Sequence, residues 1–254
     1  MKTATYAYCV VKRGRRPSLA RLRAAMPGGA APRAVRGPGN TWVIVSDVPL
    51  RQYGSAAINR GLKRLDWVAE RALAHEAVVE SCARLGDVIP LKLFTIFNDD
   101  RSAVSHVGSA RALGSVFRKI AGCSEWSVRM MCAPAAGAQP GRTGSRARRG
   151  SESGTSFLLR KRTERETRRK AAASAARAVE DAYRRLARVA RAAVRREGDV
   201  PATSLMLDAA FLVPRSRQAM FAREASALAR RASAAGCELV LSGPWPAYHF
   251  VAGA

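Results

Sequence analysis

His75 and Glu76 stand side by side in "LDWVAERALAHEAVVE" (65–80), the order in which a zinc-protease helix presents its first ligand and its general base. That chemistry needs a second histidine one helical turn on, and the residue there is Val79. His106 and His249 have no ligand-type residue at metal spacing. Glu76 and Glu80 share a helix face, either as an acid–base pair or, the reading preferred, as solvated charges paired with arginine. Asp99 and Asp100 follow an apolar run and fit helix-start charges better than a cation site. Phosphate-binding, dinucleotide and nucleophile-elbow motifs are missing; "GSARALGS" (108–115) fails the phosphate loop in both spacing and lysine. The expectation is no catalytic residue, no metal, no cofactor and no small-molecule substrate.

Charge is the strongest compositional signal. The chain has 254 residues with 44 basic and 19 acidic side chains, a formal +25. The excess is even, +12 over residues 1–122 and +13 over 123–254, so it is not a detachable tail. Such a charge implies an acidic partner, because self-repulsion otherwise only destabilises the compact state. The densest clusters are "LLRKRTERETRRK" (158–170) and "YRRLARVARAAVRRE" (183–197). They read as a docking face for an acidic protein assembly or as a solvated helix face with i,i+4 pairs. Nucleic-acid binding is the alternative function, disfavoured because aromatics are 6% and not interleaved with the basic runs. The candidate partner-binding residues are Arg160, Arg165, Arg168, Arg169, Arg184 and Arg188.

The elements that position these residues alternate. Residues 3–11 and 41–48 read as strands, with a helix candidate at 18–25 and a Gly/Pro-rich turn between them. A helix starts near Pro49, and another follows with Asp66 as N-cap and Val68, Ala72, His75, Val79 and Cys82 as its apolar stripe. "VIPLKLFTIF" (88–97) reads as one buried strand. A helix beginning at Asp99 or Asp100 and a strand at 125–133 come next. Residues 134–152 form a Pro/Gly/Ser/Arg-rich loop. A long helix is expected at about 155–197, then strand 203–214, helix 216–235 and strand 237–243. The result is an α+β chain of two domains: an N-terminal α+β domain (1–122) and a C-terminal ferredoxin-like βαβαβ variant (123–254). The latter carries the long Arg-rich helix, the 134–152 insertion and a tail, 243–254. The five scattered cysteines, none in a C-x-x-C, read as reduced thiols. No apolar run reaches membrane-spanning length, and the N-terminus reads as a strand and not a signal peptide. A cytoplasmic protein without membrane contact is expected.

Taken in order, "LDWVAERALAHEAVVE", "VIPLKLFTIF", "EWSVR", "DAAFLVP" and the terminal "LSGPWPAYHFV" resemble the GvpL/GvpF family of gas vesicle proteins over nearly the whole chain. The resemblance implies a non-enzymatic, minor vesicle-associated component that binds the shell protein GvpA and helps nucleate or build the shell beside other accessory proteins. The chain departs from the family pattern at Lys92, Ile96 and Asp208 and in its Arg-rich 134–152 insertion. Under this resemblance His75, Glu76 and Trp67 become structural. Gly243, Pro244, Trp245 and Pro246 are structural too, with the tryptophan on a proline-stiffened tail packed back onto the protein's own body.

Overall fold

Strand β1 (Thr3–Lys12) is buried at every residue between its two ends, which is why "ATYAYCVV" is nearly continuously apolar. It pairs antiparallel with β3 (Thr41–Pro49), and β3 pairs with β2 (Arg33–Arg36), a strand inside the segment expected to be only a turn. The β1–β3 register shifts between Ala7 and Cys9. One extra residue at a bulge lets the alternation restart, so Ala4, Tyr6 and Tyr8 share a core cluster with Cys9 and Val11. The computed structural model describes residues 2–20, 22, 25–132, 154–196 and 205–251. The expected helix at 18–25 is not formed in its described residues, and the 134–152 loop lies outside the described set.

Two short helices, α1 (Leu50–Tyr53) and α2 (Ser55–Gly61), lead to α3 (Leu65–Ala83). The N-cap of α3 is Arg64, and Asp66 sits in the first turn and pairs with Arg64 at 2.8 Å. The buried face of α3 carries Arg71, His75, Val78, Val79 and Cys82. The expected strand 88–97 is broken into β4 (Val88–Pro90) and β5 (Ile96–Phe97), both paired to β1. Between them Phe94 adopts φ 63°, a left-handed conformation no strand accommodates. The single expected helix after Asp99 is also two, α4 (Asp100–His106) and α5 (Ala110–Ile120). Asp99 caps the first by accepting from the Ser102 amide. Gly108 at φ 83° turns the chain and Ser109 caps the second.

The remaining elements are β6 (Cys123–Cys132), α6 (Gly154–Val189), β7 (Ala192–Arg195), β8 (Leu205–Pro214), α7 (Gln218–Ala234) and β9 (Cys237–Trp245). Their sheet order is β7-β8-β6-β9, the βαββαβ arrangement of a ferredoxin-like fold. The long helix therefore ends at Val189, not near 197, and the next residues make an extra strand. Alanine and arginine at 187–196 favour helix by propensity; cross-strand pairing with β8, from Ala192↔Leu212 to Arg195↔Ala209, overrides it. The carboxyl half of α6 packs Ala175, Val179, Ala182 and Leu186 into a core with Phe211, Phe221 and Leu228.

The chain divides into two compact units, residues 1–125 with 244–254, and residues 126–243. The tail expected with the second domain thus groups with the first unit. Cys132 on β6 and Cys237 on the neighbouring β9 form a disulfide, against the expectation of five thiols. Strand pairing brings together two residues 105 positions apart, a proximity no local spacing reveals. Cys9, Cys82 and Cys123 lie outside the disulfide and are buried. Alkylation under denaturing, non-reducing conditions is expected to label three of the five cysteines, and all five after reduction, as counted by intact mass.

Candidate functional site

His75 is fully enclosed, and its two nitrogens meet different partners. Nε2 lies 3.2 Å from the Leu91 carbonyl and Nδ1 lies 2.8 Å from the Tyr6 hydroxyl. A carbonyl only accepts, so Nε2 carries the proton and Nδ1 accepts from Tyr6. The Tyr6 oxygen accepts in turn from the Phe94 amide. This relay ties α3 and β1 to the irregular segment 91–95. Burial holds the imidazole neutral, its pKa lowered to about 4. Trp67, two turns earlier, stacks on Phe94 with ring centroids 5.4 Å apart and lies under the Arg71 guanidinium at 4.0 Å. It also covers Gly61 so closely that a Cβ there would sit 2.5 Å from the indole.

Glu76 faces the tail. Its Oε2 accepts from the Tyr248 hydroxyl, while Oε1 is buried with no hydrogen-bond partner among the described residues. Partial burial raises the Glu76 pKa from its ordinary value. Glu76 is half-buried, whereas a second carboxylate, Glu125, is buried and accepts from the His249 amide at 2.8 Å and from His249 Nδ1 at 2.6 Å. Ala247, Phe250 and Val251 are buried beside these polar anchors. The tail segment does bind back, but not through the expected residue: Trp245 is 38% exposed. Gly243, Pro244 and Trp245 close strand β9 at the edge of its sheet, where proline is tolerated because no neighbour needs its missing N–H. Pro246 follows, and its carbonyl accepts from the Tyr248 amide. Tyr248→Phe is expected to destabilise the chain by about 1–2 kcal/mol, since the half-buried Glu76 carboxylate, whose Oε1 already lacks a partner among the described residues, loses its donor. Thermal unfolding measures this, with Trp245→Ala as the contrast, expected to change stability by less than about 0.5 kcal/mol.

The six candidate arginines do not form one patch. Arg160, Arg165, Arg168 and Arg169 lie on the amino half of α6, whereas Arg184 and Arg188 lie on the half that packs on the sheet. From Arg160 to Arg188 the helix rises about 40 Å. Arg184 is engaged locally, with its Nε 3.6 Å from Glu180. On the amino half Arg160 pairs loosely with Glu164 at 3.9 Å. Arg165 and Arg169 make no ion pair among the described residues, and both are exposed.

That amino half also presents apolar surface. From Thr155 to Ala173 no described residue is buried, and only Glu164 is half-buried. Phe157, Leu158 and Leu159 are 44%, 68% and 58% exposed. Three consecutive large apolar side chains therefore adjoin a run of eight cations and two carboxylates between Gly154 and Arg177. Helices this long are normally held by tertiary packing of one face, and an exposed apolar cluster marks an interaction surface. The signal was legible as "FLL" directly before the basic run, but the charges masked it.

No cluster of three or more histidine, cysteine, aspartate or glutamate residues suited to a metal occurs among the described residues. No described helix is long and apolar enough to cross a membrane.

Residues 4–252 match the family model described as gas vesicle synthesis protein GvpL/GvpF. The chain is similar to gas vesicle protein L of Streptomyces sp. (strain CB03234), 31% identical over 234 residues that cover 88% of this chain and 84% of the relative. Its fold is similar to the crystal structure of gas vesicle protein GvpF from Anabaena sp. PCC7120, with a TM-score of 0.67, 14% identity, and 99% and 97% of the two chains covered. GvpF from Microcystis aeruginosa gives a TM-score of 0.62 at 12% identity, covering 98% of each chain.

Proposed function

Because the chain belongs to the GvpL/GvpF family of gas vesicle synthesis proteins, and so has an accessory role in gas vesicles, we propose that it acts by binding the shell protein GvpA and helping to nucleate or assemble the shell. The family is one of gas vesicle proteins and not a known enzyme family. The observation that carries the proposal is the amino half of α6, which combines unburied Phe157, Leu158 and Leu159 with a dense run of cations. An apolar, aggregation-prone subunit with acidic positions complements both features. The apolar triplet supplies contact area of roughly 25 cal/mol per Å2 buried, and the cations supply encounter rate and orientation. Arg160, Arg165, Arg168 and Arg169 are assigned to this contact. Arg184 and Arg188, on the packed half, are at most peripheral to it. His75, Glu76, Trp67 and Pro244, Trp245 and Pro246 belong to the first unit and Gly243 ends the second; all are assigned structural roles away from this contact.

Immobilised GvpA is expected to retain the full chain at low salt and to lose most of it at high salt, since exposed charges are screened. Retention that does not change between about 50 and 500 mM salt would remove the electrostatic part of the proposal. A gel shift with random duplex and single-stranded DNA runs beside it. Stronger binding to DNA than to GvpA would replace this function with nucleic-acid binding.

A further inference from the structure

A cavity of about 390 Å3 opens within the first unit, inside the range of roughly 300–1,000 Å3 common for small-ligand sites. Its wall is apolar: Val10 and Ile89 from the sheet, Val107 and Leu113 from the α4–α5 corner, and Val251 from the tail. Four lining residues have side-chain polar groups, and two of these are already committed. The Tyr248 hydroxyl donates to Glu76, and the Thr95 hydroxyl donates to the Lys92 carbonyl at 2.6 Å. The other two are Lys92 and His106, both exposed and neither in an ion pair among the described residues. No carboxylate lines the cavity. Lys92 thus brings a basic, exposed side chain to the lining of an apolar hollow, and the chain as a whole is strongly basic.

We propose that this cavity binds an apolar group bearing one carboxylate, its hydrocarbon part against the Val10, Ile89, Val107, Leu113 and Val251 wall and its carboxylate met by Lys92 and His106. Two sources share that chemistry: a free medium-chain monocarboxylate, and the free C-terminus of a protein ending in a large aliphatic residue. A neutral alcohol of the same length fills the wall but leaves the ammonium without its counter-charge. A dicarboxylate would place its second charge against hydrocarbon, at a desolvation cost. The site is independent of the α6 surface.

Calorimetric titration of the full chain with sodium octanoate tests this. Octan-1-ol serves as the uncharged arm, and a pentapeptide ending in leucine, as free acid or amide, represents the second source. Octanoate is expected to saturate a single site and octan-1-ol to bind at least about tenfold more weakly. Lys92→Glu should weaken octanoate by about tenfold or more, and Leu91→Trp, which fills the hollow, should abolish binding. Lys92 is exposed, so its reversal decides the matter even if Leu91→Trp fails to fold. If the free-acid peptide binds and its amide does not, the ligand is a chain terminus and the proposal stands. Three results overturn it: no saturable binding of either octanoate or the free-acid peptide, octan-1-ol binding as tightly as octanoate, or octanoate affinity unchanged in Lys92→Glu.

Discussion

His75→Ala is expected to lower stability at pH 7 by about 3 kcal/mol, because the Tyr6 hydroxyl and Leu91 carbonyl lose a buried partner and a cavity replaces the ring. The same substitution carries a pH signature that plain loss of packing does not. The ring titrates near its ordinary value of 6.5 when unfolded and at about 4 when folded. As pH falls, the unfolded chain takes up the proton first, so the ring's contribution is complete above about pH 6.5 and is lost as pH falls towards about 4. Glu76 works in the opposite sense: its raised pKa makes the half-buried carboxyl group less costly as pH falls. Subtracting the variant's stability from that of the wild type cancels the Glu76 contribution. The difference, read by urea denaturation at pH 7 and pH 4.5, should shrink by about 2 kcal/mol at the lower pH. A difference that stays constant would mean His75 takes up its proton as readily in the folded chain as in the unfolded one, contrary to the burial and bonding described above.

Reversing Arg160, Arg165, Arg168 and Arg169 together to glutamate should weaken GvpA binding by about 100-fold at low salt, mostly through the association rate. Thermal stability should move by less than about 1 kcal/mol, since none of the four is packed in a core. Reversing Arg184 and Arg188 gives the internal control. Those two lie about 38–46 Å along the helix from the apolar triplet and should cost about tenfold or less. Changing Phe157, Leu158 and Leu159 to serine completes the set. Its effect should persist at high salt, where the charge contribution has been screened away. Surface plasmon resonance over a salt series separates the two behaviours. If the four-arginine reversal leaves the association rate unchanged, the amino half of α6 is not the docking surface.

Much of this architecture was legible from pattern alone. The two long strands of the first unit, the helix with His75 inside its apolar stripe and the acid that caps α4 all follow from local periodicity and capping chemistry. The α+β order of the second unit follows in the same way. What was hidden had non-local causes. β7 is written in helix-favouring residues and exists because β8 lies beside it. The break at 91–95 is held by a tyrosine and a histidine that are far away in sequence. The disulfide joins residues on strands that only the sheet order makes neighbours. At the candidate site, the sequence pointed to the basic helix but grouped its arginines by composition. Only the burial along α6 separates the four on the unpacked half from the two on the packed half. In the tail the proline-flanked tryptophan drew attention, while the residues that hold the segment are Tyr248 and His249, each paired with a carboxylate.

The discontinuous make-up of the first unit has a consequence for biosynthesis. Residues 126–243 are contiguous and can close as soon as they leave the ribosome. Residues 1–125 emerge earlier, yet Glu76 and Glu125 must wait for Tyr248 and His249, which are translated after the whole of the second unit. The half that is made first is thus the half that is finished last.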